Sequence, residues 1–391
     1  MKINNLEISG VGGIRELKLD FNPSFNVICG PNGIGKTTIL KTLVHSFSSH
    51  SSFLKKNVAY DVGNFRIQFT DPQGKTIRRS SRLKTFEPQV NDSFANVSDL
   101  TKYIMYFQEE RVINYQNLDS IPRDEKIDIY RLGVFMEKGI QIENMKGWLV
   151  NRYLFGHLQG SLTEAKLANL RLAMKSFSIL EPAIQFRTVD ASALDIMISN
   201  KDDIIYFEYL SAGYKTCIYL ILGLIKEIEY RFGAQSGKAE DFEGIVLIDE
   251  IDLHLHPLWQ AKLVNALKVI FTKAQFIVTT HSPSVLQTLK KEEIIPLTAC
   301  KDGSICVKQL NLTEYGLQGW TIEEILRDVM EMPETTSALY ENTKKKFEKA
   351  MQTENVEEVK KQYLILEKML HPDSIIKKLI KIQMAGLEET Q

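Results

Sequence analysis

The chain of 391 residues carries 48 Lys and Arg against 49 Asp and Glu, a formal charge of −1, with 44% apolar and 25% charged residues. That length accommodates two domains or one large domain with insertions, and the composition is that of a folded protein rather than a disordered one. The balanced charge leaves any contact with a polyanion to a local patch.

No stretch offers the long uncharged run of a membrane span. The most apolar helical segment, 218–228, is short and interrupted by Lys226 and Glu227. The N-terminus has no apolar core of signal-peptide length, and Cys29, Cys217, Cys300 and Cys306 lack metal-type spacing. A cytoplasmic protein that does not cross a membrane is therefore expected.

In chain order, Leu6 and Ile8, then Leu17, Leu19 and Phe21, alternate with polar residues on either side of Gly12 and Gly13. This period-2 pattern predicts two strands joined by a turn. "FNVICG" predicts a third, buried strand, and "KTTILKTLVHSF" carries apolar residues at helical spacing. "NFRIQFTDPQGKTIRRS" predicts a hairpin turning at Asp71, Pro72, Gln73 and Gly74. From 121 to 184 the pattern is mainly helical, without a repeat or sustained heptads. Strand character returns at "AIQFRTV", "ALDIMIS" and "IIYF", followed by a Ser-Ala-Gly turn and a helix, apolar from Cys217, that reaches about Arg231. "GIVLIDE" and "QFIVTTHS" are continuous apolar runs separated by the helical "PLWQAKLVNALKVIF", the βαβ pattern of a parallel sheet covered on both faces. From Thr321 onward the chain reads as charged helices whose apolar stripes pack against the same chain or a partner.

"GPNGIGKTT" at 30–38 satisfies G-x-x-x-x-G-K-[ST] between a buried strand and a helix. Asn32, Gly33 and Gly35 shape a loop whose N–H groups, with those of Lys36 to Thr38, wrap phosphates. Lys36 reaches the terminal phosphates and Thr37 offers a hydroxyl to Mg²⁺. The loop by itself says only that a nucleoside triphosphate such as ATP binds.

"GIVLIDEID" at 244–252 adds two acids at a strand end. Asp249 is placed to hold a Mg²⁺-bound water, and Glu250 to orient or deprotonate the attacking water. His281 ends the next strand, on the edge of a parallel sheet where ligands bind, and is a candidate sensor of the γ-phosphate. A second anion-binding turn, at Ser211 and Gly213, is then superfluous within one subunit and is most simply read as facing the γ-phosphate of another.

"LSAGYKT" resembles the Leu-Ser-Gly-Gly-Gln signature of ABC-type ATPases, with Ala212 and Tyr214 as departures. With the phosphate loop, Gln108 of "YFQEE", "LIDE" and the histidine, it forms that superfamily's ordered motif set. The resemblance implies an α/β P-loop head, a mixed sheet with a parallel core and antiparallel N-terminal strands, over 1–120 and 185–310. A helical insertion over 121–184 and a helical C-terminal region over 311–391 complete the expected organisation. It also implies a homodimer or higher even oligomer with two ATP molecules sandwiched between phosphate loop and signature. Gln108 would ligate Mg²⁺ or the attacking water, Asp252 would lie at the dimer seam, and Arg15 would stand near the nucleotide phosphates.

"IDEIDLHLHPLWQ" and "FIVTTHSPSVL" are similar to the RecF, SMC and OLD group, and with the tail "TIEEILRDVMEMPETTS" most of all to the PtuA-like ATPases of Septu and retron antiphage systems. Those relatives imply a separate nuclease partner of HNH type, PtuB-like. The rival readings are a RecF- or SMC-like repair ATPase and, disfavoured by "DEIDLHLHP" and the charged tail, the nucleotide-binding subunit of a transporter. The segment 321–391 offers no nuclease motif of its own. Lys75, Arg78, Arg79, Arg82 and Lys84 form a basic segment that suits nucleic-acid phosphates as well as it suits a solvated hairpin edge.

Overall fold

The computed structural model describes residues 1–50, 54–109, 117–125, 127–140, 145–201, 203–332 and 335–388; Pro333 and Glu334 of the quoted tail lie outside them. In chain order the elements are β1 (Lys2–Val11), β2 (Ile14–Asp20), β3 (Phe25–Cys29), α1 (Lys36–His45), β4 (Gly63–Thr70), β5 (Thr76–Leu83), β6 (Ile104–Phe107), α2 (Ile129–Lys138), α3 (Met145–Gly156) and α4 (Glu164–Leu180). Then follow β7 (Ile184–Asp190), β8 (Asp195–Asn200), β9 (Asp203–Tyr206), α5 (Ala212–Ser236), β10 (Ile245–Ile248), α6 (Pro257–Ile270), β11 (Gln275–Thr279), α7 (Pro283–Leu286), β12 (Ile294–Ala299) and β13 (Ile305–Val307). Helices α8 (Ile322–Asp328), α9 (Ala338–Gln352), α10 (Val356–Met369) and α11 (Ile375–Glu388) complete the chain. Two compact units result, Met1–Ile325 and Leu326–Gln391.

The first unit is an α/β ATPase head. Its antiparallel sheet has the order β2-β1-β4-β5, and each strand alternates, so that Leu6, Ile8, Leu17, Leu19, Phe65, Ile67 and Phe69 are buried on one face. The second sheet, β13-β12-β3-β11-β10-β6, runs parallel from β12 to β6. Every residue of β3, β6, β10 and β11 is buried, as expected of strands covered on both faces. Ile39, Leu40, Leu43 and Val44 of α1 share one apolar core with both sheets. The β4–β5 hairpin turns at Asp71–Gly74 as predicted; Asp71 accepts from the Gln73 and Lys75 amides. Strand β12 went unnoticed in the sequence because Pro296 weakens a strand reading, yet Pro296 sits at the last position paired with β3.

Three local features differ from the sequence expectations. Helix α5 begins at Ala212, earlier than the apolar run from Cys217, because Ser211 caps it by accepting from the Tyr214 amide; it continues past Arg231 with a break at Gly233, where φ is 69°. Arg79 leaves the basic segment and turns inward. It donates to the carbonyls of Ser46 and Asn96 and to Ser98 Oγ, and lies 5.1 Å above the Phe47 ring and 5.5 Å above that of Phe69. Only Arg78, Arg82 and Lys84 of the segment's residues on and just after β5 stay exposed. Cys300 and Cys306, unremarkable in spacing, meet across the β12–β13 turn and form a disulfide, with Cα atoms 5.9 Å apart, while Cys29 and Cys217 are buried and free.

Helices α3, α4 and α5 are joined by a buried polar cluster. Glu229 accepts from Arg152, Trp148 Nε1 and Asn169, and Arg152 also pairs with Asp124 at 2.7 Å, which takes Lys166 as well. Strong pairing keeps these groups charged inside the helical layer, and the Asp124 carboxyl is held below the usual range by Lys166 and Arg152 against its own desolvation. In the second unit, Phe347, Ala350, Val359, Leu366, Ile380 and Met384 of α9, α10 and α11 form a separate small core. Arg152→Ala leaves Glu229 buried without its cation, and is expected to destabilise the first unit by about 3–5 kcal/mol, read as a lower midpoint of thermal unfolding.

Candidate nucleotide site

The site follows from strand direction. Because β3, β11, β10 and β6 are adjacent and parallel, their C-terminal ends reach one edge of the sheet, where α/β proteins bind ligands. The phosphate loop leaves β3, Asp249 and Glu250 leave β10, Thr280 and His281 leave β11, and Gln108 leaves β6. Ile248 stands in register with Phe107, so Gln108 and Asp249 emerge side by side, and the Asp249 amide donates to the Phe107 carbonyl.

Within the loop, Gly33 adopts φ 76° and faces open space, and a side chain there would project into the anion cradle. Lys36 opens α1 and is buried; its ammonium donates to the carbonyls of Gly30 at 2.9 Å and Pro31 at 2.8 Å. Burial lowers the Lys36 pKa, and Cys29 and the acids Glu250, Asp249 and Asp252 oppose that shift. Thr37 Oγ1 donates to Asp249 Oδ1 at 3.2 Å, and Thr279 Oγ1 donates to the same oxygen at 2.6 Å.

Glu250 sits in the left-handed region at φ 46°, held by its amide donating to Thr279 Oγ1 at 2.7 Å. A non-glycine residue there is strained, and the two hydrogen bonds of Thr279 fix it. Desolvation, then Asp249, Glu109 and Asp252, raise the Glu250 carboxyl above its ordinary range. His281 is pushed the other way: burial and Lys36 lower its pKa, outweighing Asp252 and Asp249.

Asn32, Gly33, Gly35, Lys36, Thr37, Thr38, Glu250 and His281 line one cleft of about 550 Å³. Asp249 backs it through Thr37. Gln108 stands at the same edge but donates its amide to the Glu137 carbonyl at 2.9 Å. Arg15 is exposed and reaches the Asp302 carbonyl at 3.4 Å rather than the cleft, and Ser211 and Gly213 at the start of α5 also lie outside the lining. The cleft suits ATP and Mg²⁺: an open glycine cradle and a lysine serve phosphates, and the Thr37 hydroxyl beside the Asp249 carboxylate supplies hard oxygen donors. Thr279, Thr280 and Gln260 escaped the sequence reading. Only the repeated threonine in "VTTHS" hinted at a hydroxyl pair supporting the acids.

A full-length match decides the family. The chain is 44% identical over 391 residues to the Septu protein PtuA of Bacillus thuringiensis, covering 98% of each. It belongs to the PtuA family. A PtuA of Bacillus mycoides is 28% identical over 83% of this chain, which spans only 44% of that longer relative. "Retron Ec83 probable ATPase" of Escherichia coli is 32% identical over 44% of this chain and 31% of that protein. The family model described as "AAA domain, putative AbiEii toxin, Type IV TA system" matches residues 85–287, and one described as "AAA domain" matches residues 5–146. Among solved structures, the SMC head domain from Thermotoga maritima aligns with a TM-score of 0.48 at 15% identity, over 80% of this chain and all of that one. No described helix is long and apolar enough to cross a membrane.

The lowered His281 pKa gives a pH dependence with a definite sign. A depressed folded-state value means that keeping this ring neutral stabilises the fold above the ordinary histidine range, and that the stabilisation is lost as pH falls through the lowered value. His281→Gln is expected to flatten the decline of Tm between about pH 7 and pH 5, measured beside the parent protein in the absence of nucleotide.

Proposed function

We propose that this chain binds and hydrolyses ATP as the regulatory subunit of an antiphage system and controls a separate nuclease of HNH type. The observation that carries the reading is the convergence of Lys36, Thr37, Glu250 and His281 on one cleft, backed by Asp249, in a chain that matches a PtuA protein from end to end. In this reading Lys36 neutralises the terminal phosphates, and Thr37 and Asp249 hold Mg²⁺, which withdraws charge from the phosphate oxygens. Glu250 takes a proton from the attacking water; a carboxylate raised above its usual range is a stronger base. Gln108 orients that water or the metal, and His281, neutral at physiological pH, donates to or accepts from the γ-phosphate edge.

Ser211 and Gly213, outside the cleft of their own chain, would cap the γ-phosphate held by a second copy. ATP then closes a head-to-head homodimer, or a higher even oligomer, and hydrolysis reopens it. That change of state is what the partner nuclease would read. Contact with nucleic acid through Arg78, Arg82 and neighbouring Arg66, all on the exposed face of the antiparallel sheet, belongs to the same proposal and would weaken with salt.

Lys36→Ala is expected to lose ATP binding, measured by titration with a fluorescent ATP analogue; tight binding by that variant removes the cleft assignment. Glu250→Gln should retain binding, accumulate as an ATP-dependent dimer by light scattering, and turn over about 100-fold or more slowly. The parent's kcat should fall on an acid limb displaced above the ordinary carboxylate range, with no such limb in the variant. Co-expression with an HNH nuclease encoded beside the gene, followed by purification in ATP, tests the partner: no stoichiometric complex under any nucleotide condition would sink that part.

A further inference from the structure

The phosphate-facing loops and the signature turn of one subunit are tied together by two consecutive residues of α6. On one side, Gln260 is buried and donates to the carbonyls of Asp252 at 3.3 Å and Leu255 at 2.9 Å, while accepting from Ser282 Oγ. Asp252 Oδ1 in turn accepts from Thr280 Oγ1 and from the His281 amide at 3.3 Å. Gln260 thus locks the segment after Glu250 against the turn that carries His281. On the other side, Trp259 lies against the start of α5. A Cβ on Gly213 would fall 2.5 Å from Trp259 Cδ1, and the Tyr214 and Trp259 rings meet edge-on at 5.4 Å. Cys217 Sγ donates to the Trp259 carbonyl at 3.8 Å, and Lys262 covers the indole at 4.9 Å.

We propose that Trp259 is a positioning residue for the signature turn, acting on the ATP held by the neighbouring subunit, and that Gln260 makes its placement depend on the Asp252–His281 loops of its own subunit. The inference rests on the composite-site reading above. Its physical basis is close packing: Gly213 can approach the indole only because it lacks a side chain, so displacement of the ring moves the turn or leaves a void beside it. Tyr214 stands where the signature of ABC-type ATPases has Gln. Its buried ring, whose hydroxyl donates to the Phe177 carbonyl at 3.1 Å, fills the space between α4 and Trp259. The departure from the signature is thereby part of the same contact.

Mixed dimers test this. Trp259→Ala should bind ATP as a subunit with unchanged affinity, yet turn over about tenfold more slowly. Mixed one to one with Lys36→Ala, whose signature is intact, it should recover roughly one quarter of the parental rate, the statistical share of one complete site in half of the dimers. Mixed with Ser211→Ala it should recover nothing, since both partners are then defective at the signature. Trp259→Phe should restore most of the turnover, and Trp259→Leu, which keeps an apolar side chain against Gly213, is run beside the alanine variant to cover a failure of that variant to fold. Recovery with Ser211→Ala but not with Lys36→Ala would place Trp259 at its own subunit's nucleotide and overturn the proposal. A Ser211→Ala with Lys36→Ala control that shows no recovery overturns the composite site, and this inference with it; a working control without recovery by either Trp259 variant overturns the inference alone.

Discussion

Everything at the candidate site depends on four parallel strands ending together. Parallel hydrogen bonding of β6, β10, β11 and β3 gives their C-terminal ends a common edge, so residues separated by more than 200 positions meet without any long side chain having to reach across. The one polar bond that fixes their relative height is the pair made by Thr279. Its hydroxyl donates to Asp249 and accepts from the Glu250 amide, so the strand that leads to His281 sets the strained backbone of the acid on the neighbouring strand. Loss of that alignment would separate the phosphate loop from its acids even if every motif remained intact.

Electrostatics within the cleft follow from the same crowding. Three acids and one lysine converge where water access is reduced, and burial alone shifts Lys36 down and Glu250 up. Each group moves toward the neutral form that its task requires at some step: a carboxylate that can accept a proton, a histidine that can hydrogen-bond without a full charge. Charged groups in the helical layer have the opposite fate. Arg152 and Glu229 stay ionised because each is surrounded by partners, and they join α3 to α5. Those contacts bear on function through Lys146 of α3, which pairs with Asp195 and Glu208, while Lys215 donates to the Glu208 carbonyl. The segment just before the signature turn is therefore braced by the helical insertion as well as by α6.

The sequence by itself determined the motif set and most of the elements. A glycine-rich loop after an apolar strand, an apolar strand ending in two acids and another ending in "TTHS" are local patterns, and hydrophobic periodicity reports which strands are covered on both faces. These gave the head fold, the hairpin at Asp71–Gly74, the helical stretch over α2–α4 and the residues that line the cleft. Only tertiary structure decided matters that depend on contacts between distant segments. Arg79 reads as one more surface cation until Phe47, Phe69 and three oxygen acceptors surround it. Arg15 reads as a phosphate neighbour until the turn at Asp302 occupies it. Cys300 and Cys306 become partners because a hairpin faces them, and Trp259 acquires meaning because Gly213 packs on its ring. A side chain's chemistry is written in the sequence; its partner is fixed by which other segment the fold brings within a few ångströms, and no local pattern carries that information.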